Sequence, residues 1–333
     1  MKNNIVVLFL LLCIFWVYFY SYPYSCSVTV ELKNFWKDSL EPVDKQKRRE
    51  TNYPFVTGDE FRKMADFVFD ETSPTFSTDN VTDGAIIFVR NQKAFLDCFF
   101  ENIHPHIKVR YILITHNGLM KHPGTPHLHG NLEDYVQYLN EDKLIAWFGK
   151  NLTLNHKKAY AVPLGIQNRY VRGLGDYKDI ISQMPIKKRI FLYMNFNLWT
   201  YPERKEVMKL FYKKQFCYAS GRVSFKDYFH DLASSVFVLS PRGAGIDCHR
   251  TWESIIAGSI PLVGSSGLDM FFEDLPVIIV KDWSSVTKEY LNRKQKEILW
   301  KLSTGKYNFE KLYADYWIDK IKSVQKKMVT VER

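Results

Sequence analysis

The sequence predicts an α/β protein in which parallel strands alternate with helices in two successive series, behind an N-terminal apolar span. Three observations predict it. Short apolar runs recur between segments of helical spacing, a glycine-bearing loop opens a helix directly after one such run, and residues 5–20 carry no charge. Alternation of this kind indicates a parallel sheet covered on both faces, because each crossover helix lies back over the strands it joins. The 333 residues suffice for two domains of ordinary size, and 46% hydrophobic with 25% charged residues is globular composition.

Taken in order, residues 1–24 read as a cytoplasmic tip and a transmembrane signal anchor, with no charge between Lys2 and Glu31. At ~1.5 Å per residue such a span covers roughly 24–30 Å, enough for a thin early secretory membrane. A cleaved signal peptide is the competing reading, but Tyr22-Pro-Tyr24 interrupts the expected small-residue cleavage site. Residues 25–52 form a stem that contains the basic run Lys45-Gln-Lys-Arg-Arg49. The sequons at Asn80 and Asn151 are compatible with a lumenal body, and both are expected glycosylation sites. Five cysteines (Cys13, Cys26, Cys98, Cys217, Cys248) form no metal spacing; Cys98 and Cys217 read as buried thiols, with one disulfide allowed in an oxidising lumen.

Residues 53–185 form the first series. Thr57-Gly-Asp-Glu60 is a capping box ahead of the helical spacing Phe61, Met64, Ala65, Val68. Strands are expected over 84–89, 111–114, 144–148 and 159–162, with a helix over 92–103. A polar stretch over 183–189 separates this series from the second, over residues 186–287. There the pattern gives strands over 190–194, 236–239, 260–263 and 277–280, and helices over 202–213, 225–234 and 249–257. The tail, 288–333, is helical, with Trp300, Leu312, Tyr316 and Ile321 spaced for burial.

The chemistry concentrates in Ser240-Pro-Arg-Gly-Ala-Gly-Ile-Asp-Cys-His-Arg-Thr-Trp-Glu253. Gly243 and Gly245 permit close backbone approach or positive φ, as loops around phosphates need. Arg242 and Arg250 add two cations beside a helix N-terminus, a setting suited to a diphosphate. Glu253 stands one turn past His249, where it could accept hydrogen bonds from ribose hydroxyls. A Gly-x-Gly loop after a strand is also an ordinary turn, and this one lacks the third glycine of a dinucleotide fingerprint and the Lys-Ser/Thr of a P-loop. The density of charge beside an apolar strand favours a ligand. Trp252 reads as core, and Asp247 as internal support for the loop.

This run, followed by Gly258-Ser-Ile-Pro261 and Asp274-Leu-Pro276…Asp282-Trp283, resembles the C-terminal half of exostosin-type glycosyltransferases (family 47) and the related ribitol xylosyltransferase domain. Weaker similarity extends through Ile114-Thr-His-Asn117, Trp147-Phe-Gly-Lys-Asn151 and Pro163-Leu-Gly-Ile166. The resemblance implies a GT-B-like fold, two Rossmann-like domains facing a cleft, with the first binding acceptor and the second a nucleotide sugar. It implies transfer from a UDP-linked sugar to a glycan or glycoprotein acceptor, with inversion, and single-pass type II placement in the Golgi or ER membrane. The C-terminal helices are then expected to pack back across both domains. A single transferase unit fits one transfer or capping step better than polymerisation.

Net charge of +10 fits an anionic partner such as a nucleotide diphosphate, and no zinc, homeodomain or RNP pattern points to nucleic acid. No Asp-x-Asp occurs, so no metal and no further cofactor is expected, arginine clamping the diphosphate instead. His116, at the end of an apolar strand, is the expected catalytic base, with Asn117 orienting a sugar hydroxyl. Asn151 and Asn168 follow predicted strands or turns and are expected to line the cleft. Asn195 and Arg204 follow the first strand of the second series, where a donor phosphate contact is expected. His122, His127 and His129 sit in a Pro/Gly loop that reads as acceptor-side rather than metal-binding. The alternatives are an inactive glycan- or nucleotide-binding relative, and a basic secretory scaffold.

Overall fold

A computed structural model of the chain describes residues 50–118, 132–168, 177–182 and 187–330. The apolar span over 5–20, the stem up to residue 49 and the loop holding His122, His127 and His129 lie outside the described residues. No helix among the described residues is long and apolar enough to cross a membrane.

The first series forms one parallel sheet of five strands: β1 (Phe67–Phe69), β2 (Ala85–Arg90), β3 (Tyr111–His116), β4 (Leu144–Lys150) and β5 (Ala159–Val162). Their spatial order is the chain order. Successive right-handed crossovers in one direction place every connection on one face, and the side-chain alternation shows it. Ile87, Val89, Tyr111, Leu113 and Trp147 pack against Phe95, Leu96 and Phe99, and against Tyr135 and Leu139 of the 3₁₀ segment Leu132–Asn140. The alternate residues Ile86, Phe88, Ile112, Ile114 and Phe148 face the opposite way. They are covered by Phe61 of α1 (Gly58–Lys63) and by Trp317 and Ile321 far along the chain. The register slips between Tyr111 and Ile112, where Ile145 is the extra residue.

The capping box forms on its Thr57 side, whose Oγ1 accepts from Glu60 N at 3.3 Å. The helix ends at Lys63, short of the expected run. The Phe67–Phe69 segment pairs instead with Ile87–Val89 as the edge strand β1, because three β-formers beside an open sheet edge gain a ladder of hydrogen bonds. The helix expected over 92–103 divides into α2 (Lys93–Cys98), a π turn over Phe99–Ile103 and a 3₁₀ turn over His104–His106, which carries Pro105. Cys98 is disulfide-bonded, correcting its reading as a thiol, whereas Cys217 and Cys248 are free.

After the short helix α3 (Tyr177–Ser182), the second sheet comprises β6 (Ile190–Met194), β7 (Cys217–Ala219), β8 (Ser235–Leu239), β9 (Ile260–Gly264) and β10 (Ile278–Val280). All pairings are parallel, in the order β10-β9-β8-β6-β7. One face carries α4 (Glu203–Phe211) and α7 (Lys288–Ser303), through Val207, Phe211, Leu291 and Ile298 against Leu192, Phe237 and Leu262. The other carries α5 (Phe225–Ser234) and α6 (His249–Ile256), through Phe229, Leu232, Trp252 and Ile255 against Tyr193 and Val238. This second sheet is doubly wound.

The tail returns to the first sheet. Ala314 N donates to Pro54 O (2.8 Å), Val56 N to Leu312 O (3.0 Å), and Gln325 Nε2 to Gly84 O (2.7 Å). Two helices form, α7 and α8 (Ala314–Thr330), with a break at 304–313 that includes Gly305 at φ 64°. Leu312 and Ile321 are buried, whereas Trp300 is 55% exposed, with Lys306 Nζ 4.1 Å from its ring centre. The apolar cluster behind α8 runs without a break from Phe88 and Phe148 to Tyr193 and Trp252, so the two sheets share one core.

Candidate functional site

The order β7-β6-β8-β9 fixes where a ligand can enter the second sheet. The connection after β6 leaves by α4 on one face, and that after β8 leaves by α6 on the other. Adjacent parallel strands whose connections part in this way open a crevice at their carboxyl ends. Its walls are the loops over 195–202 and 240–248, and the second is the glycine-bearing run singled out in the sequence.

Arg204, in the first turn of α4, is 6% exposed and holds these loops together. Its Nε donates to Arg242 O (2.9 Å), Nη1 to Asn197 O (3.1 Å), and Nη2 to Pro241 O (3.2 Å) and Cys248 Sγ (3.6 Å). Burial, with the Arg250 charge behind it, pulls the guanidinium down to about 10, opposed by Cys248. A donor phosphate was expected on this side chain. It serves the loop backbone instead, because its donors already meet carbonyls of both walls. Gly243 follows from this: a Cβ there would stand 2.9 Å from Arg204 Nη2.

Arg242 and Arg250 differ. Arg242 Nε and Arg250 Nε and Nη1 are buried and have no hydrogen-bond partner among the described residues. Each guanidinium carbon lies over an aromatic ring, Arg242 at 4.2 Å from the Tyr201 centroid and Arg250 at 5.5 Å from that of Phe196. Phe196 also supports Arg204, at 5.6 Å. Stacking orients a guanidinium while leaving its in-plane donors available. A buried donor without a partner costs roughly 1–3 kcal/mol, more when charged. Three such donors sit on two arginines, one in the glycine-bearing loop and one in the first turn of α6, whose N-terminus no side chain caps among the described residues.

Asn195 is placed at the same rim, but its Nδ2 donates to Ser220 Oγ (2.6 Å) and Gly221 O (3.1 Å), which anchors the turn after β7. Glu253 is buried, and its two oxygens accept the phenols of Tyr177 (3.0 Å) and Tyr228 (2.8 Å). The expected ribose contact is thus corrected: Glu253 joins α3 and α5 to α6. His249, expected to contact the donor, has its Nδ1 donating to Gly165 O of the first domain at 2.8 Å.

The β8–α6 loop makes a dense seam with the first sheet. Asp247, buried, accepts from Leu164 N (2.7 Å), Cys248 N (2.8 Å) and Trp252 Nε1 (2.9 Å). Burial lifts its carboxyl to about 6 against those bonds. Asp247 N donates to Asn151 Oδ1 at 2.9 Å. A Cβ on Gly245 would come within 2.6 Å of Asn151 Nδ2, so close approach, not positive φ, is what Gly245 supplies. The same contact corrects the glycosylation reading of Asn151, since the amide that would carry a glycan faces Gly245 across the seam. Asn80 is exposed at the end of the 3₁₀ turn Thr78–Asn80. Lys150, at the end of β4, is buried and pulled down to about 8, by burial first and then by Arg90.

On the first domain, His116 is in the predicted place at the end of β3, but both its ring nitrogens are already engaged. It is 1% exposed; Nε2 donates to Pro163 O (3.0 Å) and Nδ1 accepts from Asn117 N (2.8 Å). Burial, reinforced by Lys150, pushes it down to about 3. A neutral ring with both nitrogens engaged positions the loop over 163–166, which corrects its expected role as base. Asn117 and Asn151, each directly after a strand, adopt left-handed φ of 56° and 58°. Asn117 Nδ2 donates to Asp59 Oδ1 (2.7 Å), and its Oδ1 accepts from Asn168 Nδ2 (2.9 Å). Asn168 Oδ1 in turn accepts from Asp59 N (3.2 Å).

Sequence reasoning missed Asp59. An acid in the first turn of a helix is explained by the capping pattern alone, so nothing in the chain marked it out. Here it is 5% exposed, its Oδ2 is buried without a partner among the described residues, and burial lifts the carboxyl to about 7 against the bond from Asn117. Phe196 and Tyr201, the platforms beneath the arginines, were missed as well. Their spacing after β6 carries no pattern distinct from core aromatics.

No protein-family model matches the sequence, and no curated protein matches it. Among solved structures, the chain is similar to an α,α-trehalose 6-phosphate synthase from Burkholderia multivorans, at 9% identity and TM-score 0.40, over 92% of this chain and 82% of that one. It is similar to the pneumococcal O-GlcNAc transferase GtfA in complex with UDP and GlcNAc, at 12% identity and TM-score 0.38, over 76% and 58%. The GtfA/B complex gives 10% identity and TM-score 0.37, over 74% of this chain, which spans 58% of that chain's length.

Proposed function

We propose that the chain is a glycosyltransferase that takes sugar from a nucleoside diphosphate donor, a UDP-sugar, and passes it to a glycan or glycoprotein acceptor. The observation that carries this reading is the pair of arginines lying over aromatic rings at the switch point, with three buried N–H groups that have no partner among the described residues. A leaving diphosphate gains negative charge as its bond to the anomeric carbon breaks. Donors fixed in advance where that charge grows lower the barrier. In this reading Arg242 and Arg250 hold the diphosphate and need no metal to do so, while Arg204 and Gly243 keep the loop shaped around it. The motif similarity to exostosin-type enzymes of family 47, with inversion, belongs to the same proposal. So do the anchor over residues 5–20 and single-pass placement in a Golgi or ER membrane with the body lumenal.

The test is a thermal-shift panel of nucleotide sugars on the purified body, followed by release of UDP. A specific shift through linkage, lost in Arg250→Ala, is expected. No shift with any nucleotide diphosphate would remove the reading. The locked His116 favours a second reading, a nucleotide-binding relative without turnover. Donor-dependent stabilisation with no UDP released would select it.

A further inference from the structure

Three segments converge at the carboxyl end of β3: residues 56–60 leading into α1, the His116–Asn117 pair, and the loop over 163–168. Their packing is close. A Cβ on Gly58 would stand 1.8 Å from Asn117 Oδ1 and 2.3 Å from His116 Nδ1, and one on Gly165 2.0 Å from Val56 O. Both glycines are therefore required. At the centre lies Asp59, with one oxygen bonded to Asn117 and the other buried without a donor.

We propose that Asp59 is the catalytic residue that accepts the proton of the sugar-accepting hydroxyl through its unpartnered Oδ2. The inference rests on the transferase reading. Three features point to it. Asn117 Nδ2 fixes one carboxyl oxygen and is itself held by Asn168, which also accepts from the Asp59 backbone N–H, and the other oxygen is left for a hydroxyl. Asn117 is itself strained in the left-handed region, as residues at reacting centres often are. And the loop over 163–168 joins this cluster to the β8–α6 segment, since Pro163 O takes His116 Nε2, Leu164 N donates to Asp247 and Gly165 O takes His249 Nδ1.

The step balances. The acceptor oxygen forms its bond to the anomeric carbon, and its proton passes to Asp59 Oδ2. The bond from that carbon to the diphosphate breaks with its electron pair, and nucleoside diphosphate leaves between Arg242 and Arg250. Asp59 must be ionised to act, and burial sets its carboxyl at about 7, where a base works well near neutral pH. The charged groups facing it are Arg62 on its own helix and Asp70 and Glu71 beyond β1; His116, bonded to Asn117, is a titratable neighbour that burial pushes down to about 3. Arg62 is ion-paired with Asp70 at 2.5 Å, so the pair adds little net charge.

The experiment measures UDP release from the UDP-sugar that stabilises the wild type, with water as acceptor, for wild type and Asp59→Asn. Thermal shift with UDP runs beside it. The expected result is a loss of about 100-fold or more in release, with the UDP shift unchanged, and a wild-type rate that rises through about pH 7. A variant within tenfold of wild type overturns the role of Asp59 while leaving the donor reading intact. A flat wild-type rate between pH 5 and 9 overturns it even if the variant fails to fold. A wild type that neither binds nor releases UDP overturns both.

Discussion

Replacing Asp59 by Asn removes a buried charge while keeping an acceptor for Asn117 Nδ2, and its effect on stability can be worked from the structure. With the folded carboxyl at about 7 against 3.8 in the free group, ionising it in the fold is unfavourable by about 4 kcal/mol. The sign follows from proton binding. Between pH 4 and 7 the folded state holds a proton that the unfolded chain has lost, so stability present at low pH disappears as pH rises through that window. The amide is free of this term. Asp59→Asn should therefore raise stability at pH 8 by about 2–4 kcal/mol, less whatever its own unpaired N–H costs, and the gain should fade toward pH 4. Denaturant midpoints of both proteins from pH 4 to 8 read the effect directly. A variant less stable than wild type at pH 8, or a difference independent of pH, would show that this carboxyl is paired in the fold and the argument wrong. A gain in stability with loss of turnover is a signature that a purely structural aspartate does not give.

Other substitutions test the seam and the loop. Gly245→Ala would force a methyl group against Asn151 Nδ2, and overpacking of this kind should lower stability by about 1–3 kcal/mol, read by chemical denaturation. Arg204→Ala removes the side chain that ties both crevice walls together and should cost about 2–4 kcal/mol and abolish UDP binding; Arg204→Lys should not rescue it, since one ammonium cannot reach four acceptors. Glu253→Gln should destabilise the body without changing affinity for UDP, because Tyr177 and Tyr228 occupy the carboxylate. Expressed through a secretory pathway, the chain should carry glycan on Asn80 and none on Asn151, as intact mass of the Asn80→Gln and Asn151→Gln variants would show.

Most strands were legible because each is a nearly unbroken apolar run, and four of them in each half left little choice but a parallel sheet. Two elements escaped for physical reasons. β1 lies in a stretch whose Phe61, Met64, Ala65 and Val68 keep helical spacing, so only the open edge of β2 decides in favour of a strand. β7 is three residues long and lies at the sheet edge, too short to carry a period. The glycine loop was legible as a ligand site, but not the division of labour among its arginines. Arg204, Arg242 and Arg250 are chemically alike, and only their distances to carbonyls and rings separate the one that holds the loop from the two left with unpaired donors. Asp59 was illegible for the opposite reason: the sequence offers a complete local explanation for it, and the burial that perturbs it depends on residues 109 positions away.

The central claim, that Arg242 and Arg250 await an anion, is tested most directly by calorimetric titration of UDP into wild type and the two alanine variants at fixed ionic strength. Each guanidinium contact is worth ~1.5–3 kcal/mol, so Kd should rise about 10- to 150-fold in Arg242→Ala and in Arg250→Ala. Identical affinity for UDP in all three proteins, or none in the wild type, would contradict the account.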